Sequence, residues 1–185
     1  SPELSKRVAA VRELRLSSRR AATQKLAERP NEFGEIRQPK TPVVVVPRIT
    51  SELREYVPIA VVDNSTILND KVSFVVDDSL LMFAWLSSRV FNVWNKAVSG
   101  RTRNDTLISN TITYNNFPFK SLDKSVEESM CKQAKQVLDA RAQFPNSTLA
   151  DLYDSVSMPP ALRSAHAKLD LEVLTSYGLS ASSTD

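Results

Sequence analysis

The sequence predicts an α+β fold: an N-terminal helix, a small mixed sheet with one long packed helix, and a C-terminal helical segment. Three observations carry that expectation. Leu4, Val8, Val11 and Leu14 recur at helical spacing near the start. Short valine-rich runs bounded by Pro, Asn and Asp fill the middle. After Pro118 the apolar spacing becomes helical again.

Taken in order, residues 3–28 read as one helix with Arg7, Arg12, Arg15, Arg19 and Arg20 interleaved and a break expected at Ser17-Ser18. Pro30 ends it, and a polar connector runs to Pro42. Val43–Val46, Tyr56–Val62 and Val72–Val76 read as strands. Asp77 or Asp78 can cap a helix bearing Leu81, Trp85, Val90, Phe91 and Trp94, with Gly100 suited to its C′ position. Thr106 to Tyr114 again alternates like a strand. Val126, Met130, Val137 and Leu138 fit a further helix that Pro145 stops, and Ser147 or Thr148 opens a short one. Pro159-Pro160 opens the last, whose Leu162, His166, Leu169, Val173 and Tyr177 share a side and which Gly178 closes. The organisation expected is a basic helical spacer and connector (1–38), a central α/β unit (39–120), a helical segment (121–178) and a loose tail (179–185).

Composition narrows the function. At 185 residues, 42% hydrophobic and 24% charged, the chain can bury one good core. It has no apolar run long enough for a membrane span and no signal-peptide core at its start, so a cytoplasmic protein without a membrane partner is expected. It opens on Ser1, and the expectation is a piece of something longer. The net charge of +3 is uneven: +6 over residues 1–48, −1 over 49–119 and −2 over 120–185. The basic front is either a solvated helical face or a surface that meets an anion.

Catalysis finds little support. The three glycines, Gly34, Gly100 and Gly178, stand apart, so no Gly-rich loop exists to cradle a phosphate or nucleotide cofactor. A single cysteine, Cys131, excludes an intramolecular disulfide, and with His166 as the only histidine the usual zinc ligand set is lacking. Asp77-Asp78 and Glu127-Glu128 read as a helix cap and a solvated first turn, Cys131 as a small buried apolar group, and His166 as a packed, hydrogen-bonded residue. Trp85, Trp94, Phe117 and Phe119 lie in apolar surroundings and belong to the core. A binding module is expected. Its first candidate is the stretch GRTRNDTLISN, where an Arg-x-Asp pair at 103 and 105 exceeds what a turn needs.

The run RLSSRRAATQKLAERPNEFGEIRQPKTPVVVVPRITSELREYVPIAVVD resembles the entry to the target recognition domain of the MmeI-like DNA methyltransferases, bacterial restriction-modification enzymes of types IIG and IIL that methylate adenine. GRTRNDTLISNTITYNNFPF resembles the second half of that domain, and LDARAQFPNSTLADLYDSVSMPPALRSAHAKLD through SYG resembles the helical segment that follows. The patterns PR-x-x-S-E-x-R-x-Y-x-P and Y-N-x-F-P-F carry the likeness, which covers nearly the whole chain. It implies a reader of duplex DNA separated from its chemistry. The Gly-rich motif that holds S-adenosylmethionine, the Asn-Pro-Pro-Tyr that holds the target adenine, and the nuclease carboxylates and lysine of such enzymes would lie upstream, in a missing methyltransferase portion of the same chain. The only Pro-Pro here is Pro159-Pro160, after Met158.

Under this resemblance Arg103 and Asp105 are base readers. Two apart in an extended segment, they would project from the same side, the arginine donating a bidentate pair of bonds to guanine and the carboxylate accepting from cytosine. The alternative is a surface ion pair worth ~0–1 kcal/mol. Leu107, next on that face, meets a thymine methyl or simply packs. Asn69, Asp70 and Lys71 in a second loop are further candidates for base contact. Arg48, Ser51, Arg54 and Arg101 are candidates for phosphate contacts that set register; the alternative for them is salt bridging to Glu52 and Glu55. The rival function is a helical protein-interaction scaffold with no nucleic-acid role.

Overall fold

The structure, a computed structural model, describes residues 1–77 and 79–180 and divides into two compact units, Ser1–Gln38 and Pro39–Asp185. In the first, α1 (Pro2–Leu16) starts with proline at its first position and ends at Ser17, the expected break. A short α2 (Ala21–Lys25) and a 3-10 turn (Leu26–Glu28) follow. Arg15 fastens this unit by donating to the carbonyls of Leu26, Arg29 and Glu32 at 2.7–2.8 Å. α1 buries no residue, so Leu4 and Leu14 remain exposed.

The second unit holds two three-stranded antiparallel sheets, where one mixed sheet was expected. The first has the order β3 (Ala60–Val62), β1 (Val43–Pro47), β4 (Val72–Val76). The second has the order β2 (Ile49–Thr50), β6 (Asp105–Leu107), β5 (Gly100–Thr102). β1 is central and buried along Val43–Val46, which explains its unbroken valine run. Only Ala60–Val62 of the expected Tyr56–Val62 strand forms, because Pro58 has no N–H to give a ladder.

The long helix is two. α3 (Leu80–Ser87) ends and α4 (Arg89–Val98) begins at Ser88, whose φ/ψ of −77°/156° leaves the helical region and whose hydroxyl accepts from the Phe91 N–H. Ser79 caps α3, with Asp77 accepting from the Ser79 N–H; Asp78 lies outside the described residues. Gly100 starts β5 rather than taking a left-handed C′ position, and Ser99 closes α4 in extended conformation. The Thr106–Tyr114 strand stops at Leu107; Asn110–Tyr114 forms one π-helical turn capped by Ser109.

Next come α5 (Lys124–Ala142), α6 (Leu149–Leu152), capped reciprocally by Thr148 and Asp151, and α7 (Pro160–Ser176), after which Gly178 takes the left-handed conformation at φ 74°. Residues 179–180 have no regular structure, and the rest of the expected loose tail lies outside the described residues. α5 and α7 pack together and onto α3. Trp85, Phe91 and Phe117 share one core with Met130, Leu162 and Leu169, while Trp94 and Phe119 flank it. Cys131 is half-buried.

A polar network crosses this core. Tyr153 joins Arg141 to His166 Nε2 (2.6 Å), Tyr56 stacks on His166 with ring centres 4.1 Å apart, and the Tyr56 hydroxyl donates to Asp170 at 2.8 Å. Because the Tyr153 oxygen accepts from the guanidinium, its proton goes to Nε2, and His166 is neutral with its proton on Nδ1. Nδ1 lies within electrostatic reach of the Ser87 backbone but short of hydrogen-bond geometry. Burial, reinforced by the Arg141 charge, pushes His166 down to about 3. Burial pushes Asp170 up to about 6, against the hydrogen bonds from the Arg89 N–H and Tyr56.

These two shifts act in opposite directions. The folded pKa of Asp170 exceeds its unfolded ~3.9, so its contribution is fully present below ~pH 4 and lost as pH rises through about 6. The folded pKa of His166 lies below its unfolded ~6.5, so its contribution is present above ~pH 6.5 and lost as pH falls towards about 3. Between ~pH 4 and 6 the slopes oppose each other. Asp170→Asn removes only the first. Urea unfolding should show the variant losing stability on acidification over that window while the parent stays nearly flat, the gap between them changing by about 2–3 kcal/mol. Parallel curves would remove Asp170 from the balance.

Candidate nucleic-acid interface

β5 and β6 form a hairpin closed by the two residues Arg103 and Asn104, with Thr102 opposite Asp105. Arg103 has φ 55°, alone among the described non-glycine residues in being left-handed, while Asn104 is not. A two-residue hairpin needs positive φ at its first central position to follow the strand twist, and glycine normally supplies it. An arginine there costs about 1–2 kcal/mol. The extended geometry expected for Arg103 and Asp105 is therefore incorrect: one side chain leaves the tip and the other the first residue of β6. The two side chains do not pair with each other, and neither side chain makes a hydrogen bond or ion pair with any described residue. Thr106 is buried while Leu107, two along from Asp105 on the same face, is 36% exposed.

Arg48 links the two sheets. Its N–H donates to the Lys71 carbonyl at 3.0 Å, its carbonyl accepts from the Ile108 N–H at 2.9 Å, and Nη1 donates to the Asp70 carbonyl at 3.2 Å. It thus holds the 69–71 turn beside the strand that carries Asp105 and Leu107. In that turn Asn69 accepts from the Lys71 N–H and Lys71 pairs with Asp70 at 3.2 Å, all exposed. Ser51 is occupied in a local turn, its hydroxyl accepting from the Leu53 N–H. Arg101 folds back onto Glu52 (3.5 Å) and the carbonyls of Asn104 and Lys96. Glu55 pairs instead with Arg89 and Arg163. Arg54 makes no side-chain ion pair among the described residues, although its charge helps hold the Asp154 carboxyl low, after the hydrogen bonds from Val156 and Ser157.

The residues that position this surface were not singled out from the sequence. Asn95 is fully buried and donates to Thr106 Oγ1 at 2.9 Å; Ser99 donates to Asn95 Oδ1 at 2.7 Å and lies 2.6 Å from Thr113 Oγ1. Asn92 donates to the carbonyls of Arg54 and Glu55, both at 2.9 Å. One face of α4 therefore fixes the hairpin, the π-helical turn and the 51–55 loop together. The available signal was two asparagines three apart in an apolar helical run, where asparagine is otherwise unfavourable. Asn95→Ala removes one bond each from Thr106 and Ser99, leaving Thr106 Oγ1 only the Thr50 carbonyl at 3.4 Å and Ser99 only Thr113, and should destabilise the chain by about 1–3 kcal/mol. Hydrogen exchange should show faster exchange of the β6 amides than of β1; equal protection would separate Asn95 from the hairpin.

The described residues contain no cluster of His, Cys, Asp or Glu suited to a metal. Their three glycines stand apart, and the left-handed one, Gly178, ends a helix.

Residues 1–121 match the model of the MmeI target recognition domain, and residues 120–185 match that of the MmeI C-terminal domain. The chain belongs to the MmeI family. It is also 32% identical over 177 residues to DNA methyltransferase A of Bacillus subtilis (strain 168), a match that takes in 96% of this chain and 20% of that protein. A solved structure of the Type IIL restriction-modification enzyme MmeI in complex with DNA superimposes with a TM-score of 0.88 at 34% identity, over 95% of this chain and 23% of that one. The chain thus spans about a fifth of the length of these relatives.

Proposed function

We propose that this chain is the sequence-specific, double-stranded DNA recognition module of a bacterial DNA adenine methyltransferase of restriction-modification type, reading bases in the major groove. The observation that carries this is the target-recognition match over residues 1–121, and the likeness to an enzyme solved on DNA supports it. Arg103 and Asp105 read bases from the hairpin; Leu107 and the Asn69–Lys71 turn add contacts beside them. Arg48, Ser51, Arg54 and Arg101 hold phosphates and set register. The methyltransferase portion of the full-length protein takes S-adenosylmethionine and transfers the methyl group to adenine, in the cytoplasm; this chain supplies the address.

Salt tests the reading. If several cations of this chain replace counterions on DNA, a mobility shift with random duplex should weaken steeply between two salt concentrations. Docking through apolar helical faces, as in a protein scaffold, would be nearly indifferent to salt. Arg54→Ala and Arg101→Ala should each lower the salt slope by about one unit without changing the methylated motif of the full-length protein. A changed motif in either would move that arginine among the base readers.

A further inference from the structure

The outer face of the second sheet carries an apolar pair left partly open to solvent. Ile49 on β2 stands directly opposite Leu107 on β6, and Leu107 stands opposite Gly100 on β5. Directly opposed residues of an antiparallel pair point to the same face. The neighbouring row, Thr50 and Thr106, points inward and is 2% and 0% exposed. The row Ile49, Leu107 and Gly100 therefore faces outward, with Ile49 48% and Leu107 36% exposed. Gly100 adds no side chain to it, so the pair stands open on one side; a Cβ there would only just touch Leu107, at 4.0 Å.

Position gives this pair its occupant. Leu107 follows Asp105 by two residues on one strand, so the apolar row lies on the face that presents the Asp105 carboxylate. Ile49 follows Arg48, which anchors the 69–71 turn. The patch is thus set among charged groups of both signs, with Arg48 and the Asp70–Lys71 pair beside Ile49 and with Asp105 and Arg103 further along the hairpin, surroundings suited to the donors and acceptors of a base-pair edge and ill-suited to an apolar protein surface. The apolar feature that duplex DNA offers among its major-groove acceptors and donors is the 5-methyl group of thymine.

We infer that Ile49, in a cross-strand pair with Leu107, forms the contact for the 5-methyl group of one thymine and so specifies a T·A pair next to the base pair read by Arg103 and Asp105. This rests on the DNA-recognition reading above and adds to it a specificity residue, Ile49, on a strand outside the hairpin.

The test uses the full-length protein and duplexes carrying its mapped methylation motif. Each thymine other than the partner of the methylated adenine is replaced in turn by uracil, which removes only the 5-methyl group. At one position kcat/KM should fall about four-fold, equivalent to ~0.8 kcal/mol for one methyl group returned to water. Ile49→Ala should use thymine and uracil equally there, and Ile49→Thr, which keeps the branched strand residue, should give the same result if the alanine variant fails to fold. The inference is overturned by a motif without such a thymine, by uracil being silent at every position, or by both variants still preferring thymine. Exchange of Arg103 and Asp105 in the same assay separates the two levels: an altered motif with silent uracil removes only the role of Ile49, whereas an unaltered motif together with silent uracil removes the whole face of the second sheet, hairpin included, as the reading surface.

Discussion

Arg103→Asp combined with Asp105→Arg in the full-length protein is expected to turn one G·C position of the methylation motif into C·G. The guanidinium offers paired donors that match the two acceptors of guanine, and the carboxylate accepts from the amino group of cytosine, so exchanging them exchanges the preferred bases. The turn permits the exchange. Position 103 is left-handed, and aspartate tolerates that conformation better than arginine, so the double variant should fold at least as well as the parent. Arg103→Gly gives the complementary result. It should stabilise the chain by about 1 kcal/mol by relieving the positive φ, while discrimination at that motif position falls by ~1–3 kcal/mol. Sequencing methylated adenines and measuring thermal unfolding on the same variants would check both. An unaltered motif with activity intact in all of them would move the readers away from the hairpin tip, towards Asn69–Lys71.

That pairing of strain with an unpartnered charge was only half legible in the sequence. An Arg-x-Asp pair in a turn is visible as residue types, but the usual marker of a two-residue hairpin is Asn-Gly or Asp-Gly, and Arg103-Asn104 has no glycine to announce positive φ. The same holds for the helix divided at Ser88. LLMFAWL is apolar on every side, so no polar stripe marks where one helical face ends and the next begins, and the cap appears only once the Ser88 hydroxyl is seen on the Phe91 N–H. Where local chemistry dominates, sequence was a sufficient guide: the Ser17-Ser18 break, the valine strands β1 and β4, the opening of α6 at one of Ser147 and Thr148, and the Pro159-Pro160 start and Gly178 stop of α7 all depend on a few adjacent residues. In the second sheet β2 joins β6 across more than fifty positions through two pairs, and no local pattern encodes that pairing.

Arg141→Ala is expected to have the largest effect on stability. Arg141 is 9% exposed, pairs with no carboxylate among the described residues, and its guanidinium lies 5.1 Å over the Phe83 ring and 4.8 Å over that of Tyr153. Its Nε donates to the Tyr153 hydroxyl and its Nη1 to the Ile59 carbonyl, both at 2.7 Å, with Nη2 also on Tyr153. Burial lowers its pKa and the Tyr153 interactions oppose that fall, but an arginine stays charged at any working pH. Truncation to alanine leaves a cavity between two rings and strips the donors from a buried carbonyl and hydroxyl, a loss of about 3–5 kcal/mol. For a chain of this size that lowers the melting temperature by roughly 10 °C. Arg141→Met keeps the stem between the rings and should lose only the donor share, about 1–3 kcal/mol. Equal destabilisation by Ala and Met would assign the whole effect to the hydrogen bonds, and a melting point within a few degrees for both would mean that the charge is as costly to bury as its bonds are favourable. The consequence for recognition follows from the partners. Ile59, Tyr56 and Phe83 belong to the target-recognition part, and Arg141, Tyr153, His166 and Asp170 to the C-terminal part. Tyr56 closes the segment that carries Ser51 and Arg54, so under the proposed function loosening this junction should weaken binding to all duplexes alike while leaving the methylation motif unchanged.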